Sequence, residues 1–128
     1  MLEYGFSKSV NEAIESLEIR VTEELKKEGF GILTRIDVKD KFKEKLDIDF
    51  QKYIILGACN PASAHKSILV EENIGLMLPC NVILYEKEGN TVVSIIKPGS
   101  AMSMIGNDRL NEIAVLVEEK LKRVFENI

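Results

Sequence analysis

The chain has 128 residues, of which 45% are hydrophobic and 30% charged. That composition describes one ordinary soluble domain and excludes disordered, collagen-like, low-complexity and membrane-embedded chains. A net charge of −4, from 17 basic against 21 acidic side chains, argues against non-specific binding to nucleic acid or anionic lipid, both of which need concentrated positive charge.

The elements follow in chain order. Leu2 to Phe6 reads as a short strand. Ser9-Val10-Asn11-Glu12 fits a capping box, and behind it Val10, Ala13, Ile14, Leu17, Val21 and Leu25 recur at helical spacing up to a stop at Gly29. Phe30 to Asp37 reads as a strand, and Val38 to Leu46, with Val38, Phe42 and Leu46 four apart among charges, as a short surface helix. Tyr53 to Cys59 is β-rich and apolar on both faces, so a buried strand is expected. Pro61 can open a helix that continues from Ala62 to Val70. The run Ile74 to Leu78 is apolar and strand-length. Cys80 to Lys87 and Thr91 to Lys97 flank Glu88-Gly89-Asn90 and predict a hairpin. Leu110, Ile113, Ala114, Val117, Leu121, Val124 and Phe125 form a second long helical stripe, capped at Asn107 or Asp108.

No repeat or linker divides the sequence, so residues 1–128 are expected to form a single domain. Both long helices carry one apolar stripe and need a sheet face to bury it. The expected fold is therefore α+β, with two long helices layered on one face of a largely antiparallel sheet. On the last strand Val92 and Ile96 lie on one face while Val93 and Ile95 lie on the other. Apolar side chains on both faces predict that a second copy covers the open face, giving a homodimer.

Two cysteines are too few for a disulfide scaffold, and MLEYGFSKSVNEAIESL lacks the basic start and apolar run of a signal peptide. No run approaches the ~18 apolar residues of a spanning helix. A cytoplasmic protein with free thiols and no membrane partner is the expectation.

The strand assignment predicts where chemistry gathers. If the strands are antiparallel, Cys59 at the end of the third and Cys80 at the start of the fourth share one sheet edge, to which Lys97-Pro98 also returns. Cys59, Asn60, His65, Cys80, Asn81, Met102 and Met104 would then line one rim. Thiolate, imidazole and thioether suit a soft metal ion, with Cys59, Cys80 and His65 as ligands. Two thiols could instead form a reversible disulfide or carry sulfur, with Cys59 reactive and Cys80 resolving. Asn60 and Asn81 could orient a small polar ligand. Against these stands a purely structural reading: free cysteine often packs as a small hydrophobe, Asn beside Pro is common turn chemistry, and methionine fills cores. Cys59 and Cys80 have no zinc-motif spacing, no CxxC occurs, and GxGxxG and Walker sequences are absent. Ser63 and His65 stand too close in sequence for a nucleophile–base pair.

The segments Tyr53-Ile54-Ile55-Leu56-Gly57-Ala58-Cys59-Asn60-Pro61, Ala64-His65 and Ile74-Gly75-Leu76-Met77-Leu78-Pro79-Cys80-Asn81-Val82 resemble the central signature of the domain of unknown function 302 family. Gly29 to Thr34 and Asp37-Val38 match its earlier segment, so the resemblance runs over nearly the whole chain. One departure is Lys97 before Pro98, where the family leads one to expect an acidic residue. The resemblance implies a β-α-β(4)-α fold with a TATA-binding-protein-like arrangement, usually as a homodimer. No activity is established for that family, so it transfers no catalytic residue. The motif positions Cys59, Asn60, Pro61, His65, Pro79, Cys80 and Asn81 coincide with the predicted rim. The function expected from sequence is a non-enzymatic binding module for a small ligand, soft metal or sulfur species. A thiol-dependent redox or sulfur-transfer enzyme and an inert structural dimer are the alternatives.

Overall fold

The computed structural model describes residues 2–128. Five strands form one antiparallel sheet in the order β1-β5-β4-β3-β2: β1 (Gly5–Val10), β2 (Gly31–Asp37), β3 (Tyr53–Cys59), β4 (Cys80–Lys87) and β5 (Asn90–Ile96). The long helices are α1 (Ile14–Lys27) and α5 (Asp108–Glu126); α2 (Val38–Leu46), α3 (Pro61–Val70) and α4 (Pro98–Met102) are short. The element order is the β-α-β(4)-α order expected from sequence.

The two apolar stripes meet one sheet face. Leu17, Val21 and Leu25 of α1 and Val117, Leu121 and Val124 of α5 close over Leu56, Val82, Leu84, Val93 and Ile95. Helix α1 stops at Gly29 because φ is +85° there; the Gly29 and Phe30 N–H groups donate back to the Lys26 and Leu25 carbonyls. This is the paired closure that only glycine enters without strain. Glu88 and Gly89 both have positive φ, as a two-residue hairpin turn requires, and they set the Lys87–Asn90 register between β4 and β5.

Three local expectations are corrected. The first strand runs Gly5–Val10 rather than Leu2–Phe6. It pairs along its whole length with β5, from Gly5 opposite Ile96 to Val10 opposite Thr91. Lys8 falls on the helix-covered face, and its stem carries the ammonium to the Phe125 carbonyl at 2.7 Å and over the Phe125 ring. Ser9 and Val10 are therefore strand residues, and no capping box forms; Ala13 is the N-cap, without a side-chain hydrogen bond. The Glu12 carboxylate instead pairs with Arg20 at 2.9 Å and accepts from Ser16. Finally, Glu72–Met77, which contains most of the strand-length apolar run, is a 3₁₀ turn. It buries Ile74 and leaves Leu76 90% exposed.

The long helices leave the opposite sheet face uncovered. From Tyr53 to Gly57, Asn81 to Tyr85 and Val92 to Ile96, no side chain on that face is charged. All three tyrosines of the chain line a shallow hollow there, with the Tyr53 and Tyr85 rings stacked at 5.3 Å. Burial raises the Tyr53 phenol above its ordinary pKa, and the neighbouring Tyr85 and Tyr4 add to the effect.

Candidate functional site

Antiparallel pairing brings the predicted segments to one end of the sheet. Ala58 faces Cys80, Gly57 faces Asn81, and Val82 faces Ile95, so the end of β3, the start of β4 and the end of β5 share an edge. Each chain segment turns sharply just beyond it. Pro61 stands in the first turn of α3 and Pro98 in the first turn of α4. Fixed proline φ and the absent N–H suit both to a helix start.

The motif glycine at Gly57 has a steric reason. A Cβ there would run into the Thr34 hydroxyl, and would stand only 2.7 Å from Cγ of Pro79. Thr34 follows a bulge in β2 at Leu33, which brings it against Gly57. Glycine thus lets Pro79 lie on β3 immediately before Cys80 enters β4.

Beneath this turn lies an apolar cavity of about 30 Å³ between the sheet end, α3, α4 and α5. Its walls include Phe30, Cys59, Cys80, Met102 and Ala114. That volume admits one or two water-sized groups. On the other side of Pro79, Cys80, Pro98 and Met102 lies an outer hollow of about 260 Å³, open to solvent and bounded also by Leu76, Met77, Asn81, Ile96 and Ala101. These four shared residues form a partition between a tight inner space and a roomier outer one.

The structure divides the predicted rim residues. Cys59, Cys80 and Met102 come together around the inner cavity. Cys80 is buried in the main core, and burial pushes its thiol up to about 11, with nearby Cys59 adding to the shift. At neutral pH this side chain is a neutral thiol, a poor nucleophile and a poor anionic ligand. Asn60 also borders the cavity, but both ends of its amide are engaged. Its Oδ1 accepts the Ser63 N–H at 3.2 Å, capping α3, and its Nδ2 donates to the Glu28 carbonyl at 3.3 Å, tying α3 to the end of α1. Asn81 is exposed and borders both the outer hollow and the tyrosine hollow of the open sheet face.

His65 and Met104 lie apart. His65 sits on the exposed side of α3 and lines neither space, and Met104 is 81% exposed in the 3₁₀ turn Ser103–Ile105. The expected set of Cys59, Cys80 and His65 around a metal is therefore not assembled. Among the described residues no three His, Cys, Asp or Glu side chains are grouped to hold a metal ion. His65 occupies a helix position whose neighbours one turn on, Ile68 and Leu69, are also exposed. Lys97, the departure from the family pattern, caps α4 and carries its ammonium over the Phe6 ring at 4.9 Å, rather than into either space.

Residues 6–128 match the sequence profile described as "Domain of unknown function DUF302". The chain belongs to the DUF302 family. A crystal structure of an uncharacterized conserved DUF302 protein from Bacillus stearothermophilus is similar, with a TM-score of 0.91, 30% sequence identity and 98% coverage of each chain. No curated protein matches the chain. Among the described residues, no helix of this DUF302 chain is long and apolar enough to cross a membrane.

Sequence reasoning missed much of the wall of both spaces. Ala114 and Val117 read only as members of the α5 stripe, yet they also form part of the cavity wall. The short side chain of Ala114 in a stripe of Leu, Ile and Val was the one available signal. Leu76 and Met77 could not be assigned to the hollow before the 3₁₀ turn was known.

Proposed function

We propose that this DUF302 domain is a non-enzymatic binding module that works as a homodimer and holds a small ligand at the rim formed by Cys59, Cys80, Asn81 and Met102. The observation that carries the reading is the convergence of three sequence-distant segments, Gly57–Asn60, Pro79–Asn81 and Pro98–Met102, around adjoining spaces with no charged wall. Non-enzymatic use is supported by the Cys80 thiol, the resolving partner of the enzyme alternative, which burial keeps protonated, and by His65, which lines neither space. Dimerisation is supported by the uncharged central stretch of the open sheet face and the three tyrosines beside it. In a chain of net charge −4, such a stretch is a surface that two copies can share without repulsion.

Native mass spectrometry of freshly purified, reduced protein beside a denatured control tests both parts. The reading expects a dimer carrying extra non-covalent mass that is lost on Ala101→Trp substitution. A bare monomer overturns it. A bare dimer favours the purely structural alternative, to which the place of Cys80 in the main core also lends support.

A further inference from the structure

The outer hollow differs from the surface around it in one chemical respect. Nearly a third of the chain is charged, yet no side chain bounding the hollow ionises near neutral pH. An ion bound there would give up hydration and gain no counter-charge. The hollow is also the larger space, about 260 Å³ against the 30 Å³ of the inner cavity, so it has room for a small organic molecule. Its apolar wall is unusually adaptable. Met77 and Met102 contribute flexible, polarisable thioethers that can follow the shape of a hydrocarbon or ring. Leu76 stands on the lip at 90% exposure, leaving apolar area that a bound molecule would cover. The one strong hydrogen-bonding side chain on the boundary is the Asn81 amide, exposed at the start of β4 and able both to donate and to accept.

We propose that the outer hollow takes a neutral small molecule with an apolar body and a single hydrogen-bonding group. The body lies among Met77, Ala101 and Met102, and the polar group meets the Asn81 amide. This rests on the reading of the rim as a binding site and specifies the chemistry of its occupant. Met102 walls both the hollow and the inner cavity, so the occupant of the hollow lies against a side chain that also faces the cavity.

Isothermal titration with three probes of equal chain length, 1-hexanol, hexanoate and hexylammonium, tests the assignment on the full chain. The alcohol is expected to bind most tightly, with both ions weaker by about tenfold or more because neither finds a counter-charge. Ala101→Trp, which fills the hollow from half-exposed α4, is expected to remove the hexanol signal; a urea midpoint checks its folding. Leu76→Glu provides a second test at a position too exposed to threaten the fold. A carboxylate on the lip should raise hexylammonium affinity severalfold and leave hexanoate weakest. An ion that binds the natural chain as tightly as the alcohol overturns the neutral-ligand assignment, while its loss in Ala101→Trp would uphold the rim as a site. If none of the three binds, the assignment is wrong, and extra mass in the native spectrum would still support the binding module.

Discussion

Beneath α1 and α5 the sheet is covered by repetition, with leucine, isoleucine and valine at helical spacing meeting the same residue types at alternate strand positions. At the sheet's end the chain is held by single contacts that do not repeat. Gly57 admits Pro79, Asn60 joins two helices, and Met102 stands between two spaces. The first region contributes stability from area alone, which tolerates exchange of one large apolar residue for another. The second relies on the particular shape or hydrogen bonds of single residues, leaves a cavity and an open hollow, and surrounds them with neutral groups. That difference separates the part of the molecule that makes the fold from the part proposed to hold a ligand.

The largest expected effect falls in the repetitive region. Leu121 is fully buried between the helices and the sheet, and Leu121→Ala should cost about 2–5 kcal/mol in urea unfolding while leaving probe binding to the surviving folded protein unchanged. Loss of binding at unchanged fold would break the separation of the two regions. Next comes the Cys80 thiol. Its folded pKa of about 11 lies above that of an unfolded thiol near 8.5. Below about pH 8 both states hold the proton and the contribution is complete. As pH rises from there the unfolded chain ionises first, so stability falls, by about 3 kcal/mol in total, until the folded thiol ionises near pH 11. Urea unfolding at pH 8 and 10.5 should therefore show a smaller loss for Cys80→Ala than for the natural chain. Equal losses would mean that Cys80 is not desolvated.

Smaller changes sharpen the contrast at the rim. Gly57→Ala places a methyl group against Thr34 and Pro79 and should cost about 1–3 kcal/mol, as overpacking does. Part of that cost should return in Gly57→Ala combined with Thr34→Ser, whose missing methyl leaves the hydroxyl more free to turn away. Asn60→Ala removes the α3 cap and the link to Glu28, for about 1 kcal/mol by thermal denaturation. A larger loss of binding than of stability in that variant would show that α3 positions the rim.

Most of the repetitive region was legible in the sequence, because periodicity reports burial directly. The α1 and α5 stripes, the Gly29 stop, the β4–β5 hairpin and the shared edge of Cys59 and Cys80 all follow from residue spacing. Where local and distant pairing competed, local patterns misled. Ser9 to Glu12 has the form of a cap, but the β5 partner draws Ser9 and Val10 into the sheet. The rim was legible only as a place. Proximity along the sheet edge brought Cys59, Cys80 and Met102 together, but not His65 or Met104. The direction in which a residue points from α3 or from a 3₁₀ turn depends on packing that spacing does not encode.

The central claim is that the hollow beside Met102 binds a neutral apolar molecule, and the methionines offer the most direct test. The chain has four, of which Met77 and Met102 bound the hollow and Met104 is 81% exposed outside it. With carbon-13 in the methionine methyl groups, a two-dimensional NMR titration with 1-hexanol reads these positions separately. The account predicts saturable shifts at Met77 and Met102 with Met104 unmoved. Shifts confined to Met104, or equal drift at every methyl, would contradict it.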